Sequence, residues 1–186
     1  MKNSKTAQGF RILLVLLLLC VLNFAQSEGD TGRATIKLYQ NLDKLPLNSK
    51  LKIAVKVNIE EGWHINSNTP NDEFLIPTSF DLLSDRDFEI TTIKYPDPAI
   101  LRLSFSEEPV SVFEGEFIIG VIIDLPEDLE LGDFQIPVEL YYQACNDQTC
   151  EPPQEVKATL EITVVDSSTP VKEINKDIFA KLKFSK

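Results

Sequence analysis

Phe134-Gln135-Ile136-Pro137-Val138-Glu139-Leu140-Tyr141-Tyr142 and Val156-Lys157-Ala158-Thr159-Leu160-Glu161-Ile162-Thr163-Val164 decide the fold class. Apolar residues hold every second position: Phe134, Ile136, Val138, Leu140 and Tyr142 in the first stretch, Val156, Ala158, Leu160, Ile162 and Val164 in the second. A period of two places one set on the buried face of a strand and the other in water. The connection between them is polar and ends on Pro152-Pro153. Two such strands around a polar turn read as a hairpin. Its tip holds Cys145 and Cys150, with Asn146-Asp147-Gln148-Thr149 between them.

The same pattern recurs outward from the hairpin. Leu51, Ile53, Val55, Val57 and Ile59 alternate with Lys52, Ala54, Lys56 and Asn58, and Glu60-Glu61-Gly62 ends the run. Arg33 to Tyr39 reads as a first strand. Trp63-His64-Ile65 leads into a polar loop, Asn66 to Glu73. Strand-like alternation returns at Ile76–Leu83 and Phe88–Lys94, and Tyr95-Pro96-Asp97-Pro98 breaks it, because proline cannot donate to a ladder. Leu101, Leu103 and Phe105 alternate with Arg102, Ser104 and Ser106 up to Glu107-Glu108-Pro109. Val110 to Leu125 is a long strand interrupted near Glu114-Gly115-Glu116, and its nearly all-apolar part, Phe117 to Ile123, fits a central strand. About eight strands and no helical pattern before residue 170 define an all-β fold. An immunoglobulin-like β-sandwich is the expected arrangement, with a jelly roll or small barrel as alternatives.

The first 27 residues stand apart. Lys2, Lys5 and Arg11 precede an apolar run from Ile12 to Leu22, and Ala25-Gln26-Ser27 offers a cleavage site. That is the pattern of a secretory signal peptide, too short for a confident membrane span. Cys20 raises lipidation, but Leu19 stands where a lipobox wants a small residue. The expected organisation is a signal peptide at 1–27, one domain at 28–168 and a tail at 169–186. In the tail Ile174, Ile178, Phe179 and Leu182 fit one helical face. The net charge of −11 becomes about −14 without the leader's three cations. Such an acidic surface repels nucleic acid and anionic lipid, so neither is an expected partner. No second long apolar stretch exists, so stable membrane insertion of the mature chain is not expected. The expected location is periplasmic or otherwise secreted, where disulfides persist.

Three readings compete for Cys145 and Cys150. A structural staple is the commoner use of a close pair in a secreted protein. Closing so small a ring, however, restricts the unfolded chain by only about 2 kcal/mol. The second reading is redox exchange at an exposed tip that a partner thiolate can approach. Asp147 and Glu151 flank the pair, and negative neighbours raise a thiol pKa, so neither sulfur is a strongly activated thiolate. The third reading, metal, has only His64 as an additional soft ligand, and a closed zinc site usually has four. His64 itself reads as a partly buried residue at a strand end. No nucleophile elbow or glycine-rich phosphate loop is present, and no cofactor is expected.

Three stretches together resemble a known family. They are Gly62-Trp63-His64-Ile65 with Ile76-Pro77-Thr78, then Glu108-Pro109-Val110-Ser111-Val112-Phe113-Glu114-Gly115-Glu116, then Tyr142-Gln143-Ala144-Cys145 with Cys150-Glu151-Pro152-Pro153. Their order and spacing are similar to those of the N-terminal periplasmic domain of the thiol:disulfide interchange protein DsbD. The resemblance implies an immunoglobulin-like fold with a redox-active cysteine pair, acting as a protein-disulfide reductase component. In that family electrons come from a thioredoxin-like domain and pass to oxidised periplasmic proteins. Cys150 is implied as the sulfur that forms mixed disulfides and Cys145 as its resolving mate. A cap loop with an aromatic tip shields the pair in that family; the matching segment here is about Arg102 to Glu108, with Phe105 as the candidate tip. The family's multi-span membrane domain and thioredoxin-like domain have no counterpart in these residues, so a separate membrane electron-transfer protein is an expected partner.

Overall fold

The alternation at Phe134–Tyr142 and Val156–Val164 becomes one ladder in the computed structural model, which describes residues 29–30, 32–104, 106, 108–126, 128–182 and 184. The leader, Cys20 and Phe105 lie outside the described residues. Among the described residues there are thirteen strands: β1 (Gly29–Asp30), β2 (Ala34–Gln40), β3 (Leu45–Pro46), β4 (Lys50–Ile59), β5 (His64–Asn66), β6 (Ser79–Leu82), β7 (Glu89–Lys94), β8 (Ala99–Leu101), β9 (Val110–Glu114), β10 (Glu116–Asp124), β11 (Gly132–Tyr142), β12 (Ala144–Cys145) and β13 (Gln154–Val165). A single helical turn, α1 (Lys176–Phe179), follows.

β11 and β13 pair antiparallel from Gly132↔Val164 to Tyr142↔Gln154, so the expected hairpin forms in full. They lie within a four-stranded sheet ordered β3-β13-β11-β6. Opposite stands a five-stranded sheet ordered β1-β2-β4-β10-β7, with β10 between β4 and β7. The inward residues of both sheets share one core. Ile36, Ile53, Val55, Ile119 and Val121 from one sheet meet Ile136, Val138, Leu140, Val156 and Leu160 from the other. Two layers around one apolar core, antiparallel except where β3 joins β13 in parallel, are the immunoglobulin-like β-sandwich read from the sequence.

A third, smaller sheet, ordered β12-β5-β9-β8, caps one end. It forms because two neighbouring strands of the large sheet turn a corner together. β4 passes into β5 through Gly62 at φ 81°, and β10 is entered from β9 through Gly115 at φ 59°. Both values lie in the left-handed region that glycine enters without a Cβ clash. The Ile59 amide donates to the Gly115 carbonyl across the corner at 2.9 Å. β11 makes the matching transfer: after Tyr142 the chain leaves its sheet and enters the small one as β12.

Three local expectations are revised. Asn66 does not open a free loop. It is fully buried, and its amide group donates to the Ile76 carbonyl and to Gln143 Oε1. The tail is helical over only Lys176–Phe179, not along a face from Ile174 to Leu182. Asn175, at φ 54°, starts the turn in a left-handed conformation, while the Ile174 amide is spent on the Asn41 carbonyl. The tail instead lies along the outer side of the large sheet, and Leu182 and Phe184 sit over Gly120 of β10. Finally, Ile76–Leu83 yields a strand only at Ser79–Leu82, with the Thr78 hydroxyl turned to the Asn66 carbonyl.

Candidate functional site

Cys145 and Cys150 are joined by a disulfide, with their Cα atoms 4.0 Å apart. The turn between them is held by one side chain. Asn146 Oδ1 accepts from the amides of Gln148 and Thr149 at 2.9 and 3.0 Å, and the Asn146 amide donates to the Thr149 carbonyl. The polarity of the loop therefore has a structural cause, an Asx-type turn that satisfies its own backbone.

The tip is not uniformly exposed as the sequence implied. Asp147, Gln148 and Thr149 face solvent, Cys150 is half-buried, and Cys145 is 0% exposed. The difference follows from β12. Cys145 is drawn into the small sheet by pairing with His64, while Cys150 forms only an isolated bridge on its outer side. A thiolate arriving from solvent meets Cys150 first.

The register of the small sheet sorts its two faces. Ala144, Ile65 and Phe113 are mutual partners and belong to the main core. Cys150, Cys145, His64 and Glu114 follow one another as successive partners on the opposite face. Directly opposed residues of antiparallel strands have Cβ atoms about 4.5–5.5 Å apart and side chains on one side. The same alternation puts Val110 and Val112 on this face, where they pack with Leu103, Leu101 and Leu75 in a second apolar cluster.

That cluster anchors the connection between β8 and β9, residues 102–109. Leu103 is 7% exposed, and the Ser104 hydroxyl donates to the carbonyl of Asp147 inside the cysteine loop. The described part of the segment expected to cap the cysteines thus touches their loop. Phe105, its candidate tip, lies outside the described residues.

Charge near the pair also differs from a reading of neighbours in sequence. Glu151 does not act as a bare carboxylate beside Cys150. Arg33 donates to its Oε1 through Nε at 2.9 Å and through a terminal nitrogen at 2.6 Å, and Gln154 donates to Oε2 at 2.6 Å. These donors hold the Glu151 carboxyl below its usual pKa, the Arg33 bonds first among them. Arg33 also bonds Glu60 at 2.6 Å and lies 3.9 Å over the Trp63 ring. Asp147 keeps its place as an exposed carboxylate in the loop.

His64 is 4% exposed, and among the described residues its Nε2 has no hydrogen-bond partner. Burial pushes its pKa below the ordinary value, while Glu114 and Asp147 act in the opposite direction. His64 is distant from the cysteines along the chain; β-pairing makes it the cross-strand neighbour of Cys145. Among the described residues no group of three or more His, Cys, Asp or Glu is arranged to hold a metal ion.

The family described as thiol:disulfide interchange protein DsbD, N-terminal, matches residues 40–162, which include the whole hairpin and both cysteines. The chain belongs to this DsbD N-terminal family. Among solved structures it is similar to the N-terminal periplasmic domain of ScsB from Proteus mirabilis, at TM-score 0.55 and 13% identity, over 81% of this chain and 52% of that one. The chain therefore spans about half the length of that structure, and at this identity the likeness concerns the fold. The fimbrial subunit AggA from Escherichia coli aligns at TM-score 0.34 and 9% identity, over 73% of this chain and 98% of that one, too loosely to carry weight. No curated protein matches the sequence. Membership of the DsbD N-terminal family, with a bonded cysteine pair at the rim, supports a thiol–disulfide exchange module. Among the described residues no helix is long and apolar enough to cross a membrane.

Proposed function

We propose that this DsbD N-terminal domain is a periplasmic electron carrier that accepts electrons from a thioredoxin-like donor and passes them to oxidised proteins through Cys145 and Cys150. The observation that carries the reading is the asymmetry of the bridge: Cys150 is reachable and Cys145 is sealed. Exchange proceeds by in-line attack of a thiolate on one sulfur while the other leaves. A donor thiolate attacks Cys150, and Cys145 leaves into the small sheet. In the delivering direction Cys150 attacks the partner's disulfide, and Cys145 then attacks Cys150 and releases the reduced partner. Electrons originate from a membrane protein that reduces the donor. Segment 102–109, with Phe105 at its tip, serves as the shield a partner displaces; its anchorage by Leu103 and Ser104 supports that role.

Trapping tests the assignment. Cys145→Ala should accumulate mixed disulfides through Cys150 with thioredoxin-like proteins, and Cys150→Ala should not. In the same preparations, Phe105→Ala should speed alkylation of the reduced pair by iodoacetamide. The complete burial of Cys145 favours a second reading, a structural staple in a binding module. The reduction potential separates the two: a staple lies below about −300 mV and a carrier well above it.

A further inference from the structure

We infer that His64 is the base that takes the proton from Cys145 when that thiol resolves a mixed disulfide, with Glu114 stabilising the imidazolium so formed. The inference rests on the exchange reading above and adds to it a residue that a cysteine pair alone does not require.

Cys150, Cys145, His64 and Glu114 occupy four successive positions across one face of the small sheet. The order is that of a relay: outer thiol, inner thiol, imidazole, carboxylate. The inner thiol has the chemical difficulty. Cys145 is 0% exposed, so water cannot carry its proton away, and a buried thiolate is disfavoured. The group beside it is an imidazole that is itself buried, and its Nε2 has no other partner among the described residues. A buried imidazole nitrogen without a hydrogen bond is costly unless it has work to do there. The charged groups acting on it are Glu114 from β9 and Asp147 from the cysteine loop, both negative. Burial keeps the ring neutral and able to accept a proton; the two carboxylates favour the cation once the proton has moved.

The step balances. After Cys150 has formed a disulfide with a partner, the Cys145 S–H proton passes to His64 Nε2. The Cys145 sulfur attacks the Cys150 sulfur; the Cys145–Cys150 bond forms and the Cys150–partner bond breaks. The partner sulfur leaves with the bonding electron pair, the protein pair is oxidised by two electrons and the partner is reduced. His64 then returns its proton to solvent.

The test uses the full chain in a Cys20→Ser background, so that Cys145 and Cys150 are its two thiols, reduced, with 5,5′-dithiobis(2-nitrobenzoate) as the oxidised probe. The first equivalent of nitrothiobenzoate reports attack by Cys150, and the second reports resolution by Cys145. His64→Gln should leave the first phase within about twofold and slow the second roughly tenfold or more at pH 7. Glu114→Gln, at an exposed position, should slow the second phase by a smaller factor. The pH profile separates a base from a packing residue. The His64 pKa lies below its ordinary value of 6.5, so the ring is neutral above that range. The second phase of the unmodified chain should therefore rise as pH passes upward through that region and level off near neutrality. In His64→Gln it should keep rising toward the ordinary thiol range near ~8.5. An unmodified chain whose second phase climbs to that range without levelling overturns the role of His64, even if His64→Gln does not fold. So does a second phase that is equally fast in the folded variant. Absence of a second phase from the unmodified chain would instead overturn the exchange reading itself.

Discussion

Arg33 decides how much negative charge Cys150 meets. Its guanidinium is engaged by Glu151 and Glu60 and raised above its usual pKa by them, so it stays charged at any pH the protein meets. Arg33→Met leaves the Glu151 carboxylate next to Cys150 without its counter-ion. The Cys150 thiol pKa then rises, and alkylation of the reduced protein by iodoacetamide near neutral pH should slow by about threefold in low salt. The difference should shrink in concentrated salt, because the groups are partly exposed. The double variant Arg33→Met/Glu151→Gln should recover the original rate; failure to recover would trace the effect to loop distortion instead of charge. The two cysteines were legible from type, spacing and setting. Arg33 and His64 were not, because each meets the site through a partner far away in sequence. Local order made Glu151 look like a bare neighbour of Cys150, when a side chain from the edge of β2 had already neutralised it.

Elements that alternate over seven or more residues could be read directly, and β4, β11 and β13 lie where period two puts them. The small sheet escaped notice because β5 has three residues and β12 two, too few to display a period. Its existence follows from the corners at Gly62 and Gly115, which were visible only as strand endings. The tail is a separate case. Ile174, Phe179 and Leu182 share a side because they line a groove on the large sheet, with Asn41 and Lys52 on its wall, and a long helix is not needed to bring them there. Gly120 makes room for it. A Cβ at that position would lie 2.9 Å from two Phe184 ring atoms and 3.2 Å from Leu182. Gly120→Val suits a strand by propensity but occupies the tail's seat. The expected result is faster tryptic cleavage at the exposed Lys176 and Lys181, with the urea midpoint of the sandwich nearly unchanged. A tail as protected as before would mean that it is held by Asn41, Asp43 and Gln40 through their bonds to Ile174, Lys172 and Asn175 alone.

At the scale of the whole molecule, the core and the cysteine pair are on opposite faces of the small sheet. Ala144, Ile65 and Phe113 look into the sandwich; Cys145 and His64 look away from it. Tyr142, fully buried just before the loop, closes the sandwich beneath the site: its hydroxyl accepts from the Ala34 amide at 3.1 Å and donates to Gln154 Oε1 at 3.0 Å. Opening the disulfide disturbs none of these contacts. What it removes is the constraint of a very short ring on the unfolded chain, about 2 kcal/mol, against the 5–15 kcal/mol typical of a folded domain. Reduction should therefore lower the urea midpoint by about 1 M and leave the slope of the transition unaltered. Trp63, the chain's one tryptophan, stands beside His64 under Arg33, so its fluorescence reports the site while far-ultraviolet circular dichroism reports the sandwich. The two signals should give a single coincident transition in both redox states. A carrier must be a folded partner whether it holds electrons or not. If the reduced chain loses its cooperative transition, the bridge is what keeps the domain together, and the exchange reading falls with it.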